Sequence, residues 1–283
     1  MKKFPFAQLG WLCVVLCLSM IASAQKLKPE EIVAKHLESI GTGEARSAAK
    51  SRLVVGSAVV TFVTQKNQKA AGRIVLASSG EKNFLGLNLN AMDYPGEKFS
   101  FDGAKAKVAT VISGQRSLFG NFVGSNDILL KDSLIGGALF SSWALNDLQR
   151  NKAKLSYDGT KKIDGREHYV LGYSSKNAGD LDISLYFDKE SFRHVRTEYR
   201  RTSSAGIGVS PDQSSGFSET RLKIVEDYSQ FNTVKGVTLP FSYKLNYWIA
   251  GQRGTTEVEW AYFLEDFSFN QNFDTNAFDA DAK

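Results

Sequence analysis

A chain of 283 residues that is 42% hydrophobic and 23% charged carries enough apolar side chains to pack a core, which argues against disorder. Setting Lys2 and Lys3 aside with the N-terminal segment leaves 33 cations against 30 carboxylates, too even a balance to argue for a nucleic-acid partner. Both cysteines lie in that same segment and only three histidines (His36, His168, His194) exist. The remaining chain therefore has no disulfide, no thiol nucleophile and no cysteine-ligated metal, and neither a metal nor a cofactor is expected.

The N-terminus reads as an export signal. Lys2-Lys3 precede an uncharged, mostly apolar run from Leu9 to Ala22, and Ala22-Ser23-Ala24 places small residues where a signal peptidase reads them. The run is too short for a comfortable membrane span. Neither Cys13 nor Cys17 follows a small residue, so a lipid-anchored N-terminus is not expected. The expected organisation is a signal peptide over 1–24, cleaved after Ala24, and a single domain over 25–283 that is soluble in the periplasm.

A helix opens the mature chain. Pro29 suits a first helical position, Glu30 and Glu31 suit the positive end of the helix dipole, and Gly41 is a natural stop. A weaker helical stretch covers Glu44 to Lys50. The period then changes to two. Val54, Ala58, Val60 and Phe62 alternate, as do Leu85, Leu87 and Leu89. Phe99 and Phe101 lead into Asp102-Gly103, a hairpin signal, and Ala106 and Val108 resume beyond it. Leu155 and Tyr157, Tyr169 to Tyr173, Leu181 to Phe187, Val237 to Ile249 and Val258 to Leu264 continue the pattern. This predicts about ten to eleven short-turned antiparallel strands. With no βαβ rhythm, a parallel sheet is excluded.

One segment breaks the alternation. Residues 127–148 carry Leu134, Ile135, Leu139, Phe140 and Trp143 among ten large apolar side chains, and the spacing predicts a helix split near Lys131-Asp132-Ser133, with Ser133 capping its second part. A helix apolar on most sides must be buried on most sides. The adjacent Gly136-Gly137 and the charged break predict that it is only marginally held. From 202 to 219 the chain is rich in serine and glycine and reads as a long loop.

Patterns that carry chemistry are weak. His168 and His194 fall on neighbouring strands near Asp188 and Glu198 without metal-ligand spacing, and read as structural. Ser47-x-x-Lys50 and Ser79-x-x-Lys82 lack the companion motifs of Ser–Lys enzymes. Gly41-x-Gly43 follows a helix, the wrong context for a dinucleotide loop. No catalytic residue is identified, and a non-enzymatic protein is expected. Arg193, Arg196, Arg200 and Arg201 read as a solvated strand whose edge charges discourage aggregation, or as a contact for an anionic lipid or an acidic partner.

Four stretches in order carry a resemblance. They are the opening helix into Gly41 with the strand holding Gly56, then IDGREHYVLGY (163–173) with LDISLYFDKESFRHVRTEY (181–199), then Asp227-Tyr228 with 234–240, and last Phe273-Asp274 with Ala277-Phe278. Together the chain resembles the outer-membrane lipoprotein-sorting proteins, which share the fold of the periplasmic lipoprotein carrier, over roughly residues 29–278. The resemblance implies a mainly β fold: one curved, unclosed antiparallel half-barrel around an apolar cavity, with helices packed in the concave face as a lid. It further implies a carrier of lipid or lipoprotein acyl chains that makes transient membrane contact and exchanges cargo with membrane-bound donor and acceptor proteins. No site residue is carried over from the family. Leu134, Ile135, Leu139, Phe140 and Trp143 are the candidate ligand-binding residues of cavity and lid. A periplasmic sensor or regulatory protein of the same fold, binding a partner protein, is the alternative.

Overall fold

The computed structural model describes residues 27–112, 116–150, 152–175, 179–204, 219–252 and 254–282. The export segment, both cysteines and most of the 202–219 loop lie outside the described residues. Two short helices come first. In α1 (Pro29–Ser39) the proline occupies the first turn with Glu30 and Glu31 beside it, and α2 (Gly43–Ala48) is capped by the Thr42 hydroxyl.

Strands follow: β1 (Ser51–Phe62), β2 (Gln68–Ser79), β3 (Lys82–Leu89), β4 (Glu97–Phe101), β5 (Ala106–Thr110), β6 (Lys154–Ile163), β7 (Arg166–Ser174), β8 (Asp182–Asp188), β9 (His194–Ser203), β10 (Thr220–Val234), β11 (Val237–Gly251) and β12 (Gly254–Phe269). Among the described residues these twelve form one sheet, in the order β5-β4-β3-β2-β1-β12-β11-β10-β9-β8-β7-β6, with every pair antiparallel. The Asp102-Gly103 hairpin forms as read, with Asp102 Oδ1 accepting from the backbone of Ala104 and Lys105. Lys235 and Gly236 both take positive φ, 49° and 82°, the twist that suits a two-residue hairpin between β10 and β11.

The strand order dictates where the remaining chain must go. Strands β5 and β6 are consecutive in sequence, yet they are the two opposite edges of the sheet. The segment joining them has to cross the whole width of one face. It contains α3 (Leu118–Gly124), α4 (Ile128–Lys131) and two single 3₁₀ turns, Gly137–Leu139 and Ala144–Asn146. This one connection reaches strands far apart in the sheet: Arg52 of β1, Asn83 of β3, Tyr173 of β7 and Glu226 of β10 all bond it directly. A flat twelve-stranded sheet could not bring those side chains to one short segment. The sheet is curved and unclosed, with its short helices in the concave face.

The second half of the predicted helix is corrected. The split at Lys131–Ser133 occurs, and Ser133 takes φ 48°. Beyond it the chain does not resume a helix, because Gly136 and Gly137 adopt left-handed conformations, φ 81° and 44°. A Cβ at Gly136 would lie 2.7 Å from the Phe140 ring. Ser133 does not cap; its hydroxyl pairs with that of Ser142 at 2.7 Å. The five apolar residues are buried all the same, each at most 3% exposed.

Candidate functional site

The concave face is filled by the β5–β6 connection, which acts as a plug. Trp143, Leu139 and Phe140 belong to the same continuous core as Tyr243, Leu245, Tyr247 and Trp260 of β11 and β12. Phe119 of α3 stands against Trp260 and Tyr247, with ring centroids 5.3 and 6.3 Å away. Burying the five candidate side chains contributes on the order of 10 kcal/mol at about 2 kcal/mol each.

Polar groups on the strands then fix the plug's position. Arg52 Nη1 donates to the carbonyl of Ala138 at 2.7 Å. On β2, the Ser78 hydroxyl accepts from Ser141 N at 2.8 Å. Asn83 Nδ2 donates to Leu130 O at 2.6 Å and to Ser133 Oγ at 2.9 Å. Glu97, fully buried on β4, accepts from Ser117 N, Ser117 Oγ and Tyr94 Oη. Tyr173 Oη donates to Asp132 at 2.6 Å, and Arg201 Nη2 donates to Asn126 Oδ1 at 2.6 Å. Each intact bond nets only about 1 kcal/mol, but an orphaned buried partner costs about 1–3. The plug is therefore held in one register by buried hydrogen bonds from strand after strand, and the expected marginal attachment is not what the structure has.

Glu226 is the centre of this network, and the sequence reading passed over it. It lies at an inward position of β10 in the series Leu222, Ile224, Glu226, Tyr228, all buried. Its carboxylate accepts from Gly136 N at 2.8 Å, from Tyr199 Oη at 2.6 Å and from Tyr243 Oη. Burial raises its pKa to about 7, against the opposing pull of these hydrogen bonds. The same burial, followed by the Glu226 charge, drives the hydroxyls of Tyr199, Tyr228 and Tyr243 well above the ordinary tyrosine range.

Beside it lies a buried aromatic group. His36 of α1 and His194 of β9 have ring centroids 6.3 Å apart, and Trp143 packs 5.5 Å from the first and 4.9 Å from the second. His36 Nδ1 sits between two backbone groups, 3.0 Å from the Phe192 carbonyl and 3.3 Å from His194 N, donating to the first in one tautomer and accepting from the second in the other. Burial lowers the His36 pKa to about 4, and burial followed by the neighbouring His36 holds His194 well below its ordinary value. Both rings are thus held neutral. A histidine whose folded pKa lies below the unfolded value of 6.5 gives stability that is full above pH 6.5 and lost as pH falls towards 4. His36→Asn, which keeps a donor for Phe192 O, is expected to flatten that acid limb in denaturant titrations between pH 4 and 6.5. An unchanged limb would remove the histidine from the account.

His168 is not part of this group; on β7 it lies opposite Asp188 of β8. The arginine stretch is also corrected, because β9 is an interior strand and carries no edge. Arg196 pairs with Asp227 at 2.6 Å, Arg200 with the buried Glu198, and Arg201 with Asp180 at 2.8 Å, while Arg193 lies over the Phe231 ring. The Ser47 hydroxyl is committed to Gly43 O, and Ser79 and Lys82 face each other across the β2–β3 turn. Among the described residues no group of three or more metal-ligating side chains comes together, and no helix is long and apolar enough to cross a membrane.

No protein-family model matches the chain, and no curated protein does. Solved structures similar to it include a LolA superfamily protein from Nitrosomonas europaea, at 12% identity and TM-score 0.47 over 89% of this chain and 98% of that one. A DUF1329 family protein from Desulfovibrio piger follows at 9% identity and TM-score 0.43, covering 88% and 95%. A Vibrio parahaemolyticus domain described as an outer membrane lipoprotein-sorting protein has 12% identity and TM-score 0.37, covering 87% and 97%. The description of the Vibrio parahaemolyticus domain names the group that the sequence resembles.

Proposed function

We propose that the chain is an exported, non-enzymatic binder and carrier of acyl chains of lipids or lipoproteins, working in the periplasm as a single unit over residues 25–283. The observation that carries this reading is the apolar plug: a non-strand connection, rich in large apolar side chains, occupying the concave face of an unclosed sheet. A chain of a dozen methylenes contributes about 10 kcal/mol on burial, at about 0.8 kcal/mol per methylene. That matches the order of what the five plug residues contribute by burial, so the apolar part of the exchange is close to balanced. The buried hydrogen bonds that seat the plug are then what a donor or acceptor at a membrane surface has to break for loading and unloading. The five residues Leu134, Ile135, Leu139, Phe140 and Trp143 would leave the wall, and the inward faces of β11 and β12 would take the chain.

Mass spectrometry of organic extracts of the protein, purified from cell envelopes without detergent, tests this. An acylated amphiphile in stoichiometric amount is the expected result. Protein that carries none, and whose delipidated form does not bind a fluorescent fatty-acyl probe, would refute the reading.

A further inference from the structure

Arg52, at the start of β1, is a buried cation, 6% exposed, and among the described residues no carboxylate pairs with it. Only Nη1 is engaged, with Ala138 O; its Nε is buried without a hydrogen-bond partner, and the guanidinium lies 5.7 Å from the Phe269 ring centre. Burial lowers its pKa to about 10, with no opposing charge to offset it. Such a group is expensive, because a buried charge is normally paired. Holding one carbonyl of the plug does not require a charge.

The surroundings give the charge a use. Arg52 lines a groove of about 180 Å³ between α2, β1 and the plug, together with Arg46, Ser141, Trp143 and Asn146. Arg46 is half-buried, and its Nε is tied to Gly41 O at 3.1 Å. No aspartate or glutamate lines this groove. Three other grooves among the described residues also carry cations, but each contains carboxylates. Lys107 and Arg116 share theirs with Asp127 and Asp281, Lys98 shares with Asp281, and Arg166, Arg196 and Lys244 share with Asp164 and Asp227. Two arginines, one with a buried donor left over, and no acid make this the groove fitted to an oxyanion.

We infer that the Arg52–Arg46 groove is a subsite for the oxyanion of an anionic amphiphile, a carboxylate or phosphate headgroup, held at Arg52 while its chain replaces the plug, Trp143 included. The inference rests on the carrier reading for the chain and adds the headgroup. The groove lies against the plug through Ala138 and Trp143, so an anion entering it competes with the Ala138 carbonyl for the same guanidinium. Headgroup binding and plug release are thereby coupled at one side chain.

The experiment compares oleate with methyl oleate on the full mature protein, two ligands with one chain that differ in charge, with inorganic phosphate as a third probe. Oleate is expected to bind at least about tenfold more tightly than the ester. Arg52→Gln should bring that ratio close to one by weakening oleate alone, with the ester binding no more weakly than to wild type because the bond to the Ala138 carbonyl that seats the plug is also lost, and Arg46→Gln should lower the ratio about threefold. If Arg52→Gln does not fold, the wild-type ratio and Arg46→Gln decide. Equal binding of oleate and ester in wild type, unaffected by either substitution, overturns the subsite and leaves the carrier reading standing. Binding of phosphate that Arg52→Gln abolishes, without binding of either lipid, supports the subsite for a free oxyanion and overturns the carrier reading. Binding of none of the three overturns both.

Discussion

Glu226→Gln is expected to destabilise the protein most at acid pH and least above neutrality. The side chain is fully buried and meets three donors, Gly136 N, Tyr199 Oη and Tyr243 Oη. An amide of the same shape keeps one acceptor oxygen and turns an NH₂ towards a group that also donates, which costs on the order of 3 kcal/mol. The pH dependence follows from the raised pKa. The folded state favours the protonated acid, so its contribution is fully present below the unfolded value of 4.5 and is lost as pH rises through about 7. That interval corresponds to about 3 kcal/mol at 1.36 kcal/mol per unit. The gap in unfolding free energy between wild type and Glu226→Gln should close by that order between pH 4.5 and pH 8 in denaturant titrations. Parallel curves would show that Glu226 does not titrate in this range.

The buried histidines act in the opposite sense. Between pH 6.5 and 4.5 the protein loses stability from His36 and His194 as it acidifies, and gains it from Glu226. The wild-type profile should therefore fall less steeply towards acid than that of Glu226→Gln, which lacks the opposing gain, and more steeply than that of His36→Asn, which lacks one of the two losses. All three groups bear on the plug: Glu226 through Gly136 N, and the histidines through Trp143. Their offsetting slopes keep the plug seated over a range of pH at which either charge alone would loosen it.

How much of this was legible in the sequence depends on what kind of signal each element carries. Strands with clean alternation, such as β1 and β3, show in the period-two pattern because one face packs and the other is more open. Strand β10 was missed because its inward series includes Glu226, and a charge at a core position interrupts the apolar count. The helix α3 was missed as well, although Ser117 with Phe119, Phe122 and Val123 marks a cap and an apolar face; its N-terminal support is Glu97, which is remote in sequence. The buried character of residues 134–145 was readable from composition, but their backbone was not. Helical spacing over 134–148 is overridden by Gly136, whose N–H is tied to Glu226 across the concave face, and by Gly137, where a Cβ would lie 3.0 Å from the Tyr228 hydroxyl. The polar latches were illegible for the same reason. Arg52, Asn83 and Tyr173 are ordinary strand residues until the sheet curves them onto one segment.

Substitutions on the plug and on the wall should separate in their effect on acyl-chain binding, although both unfold the protein more easily. Trp143 and Leu245 are each 1% exposed and belong to the same core, one on the plug and one on β11. Trp143→Ala is expected to cost about 3–5 kcal/mol, the usual loss for truncating a buried aromatic side chain. Under the carrier reading that loss falls only on the plugged form, since the loaded form has already expelled Trp143. Acyl-chain affinity should therefore rise, by tenfold for every 1.4 kcal/mol that the plugged form alone has lost. Leu245→Asn places an unsatisfied amide on the wall, which touches the plug in one state and the acyl chain in the other. The plug offers that amide backbone polar groups and a methylene chain offers none, so the loaded form loses more than the plugged form, and stability and affinity should fall together. Titration of both variants with one fluorescent acyl probe, beside their unfolding curves, reads the difference directly. If Trp143→Ala weakens binding as much as Leu245→Asn does, the connection between β5 and β6 is part of the binding surface and not its competitor, and the exchange of plug for cargo would have to be abandoned.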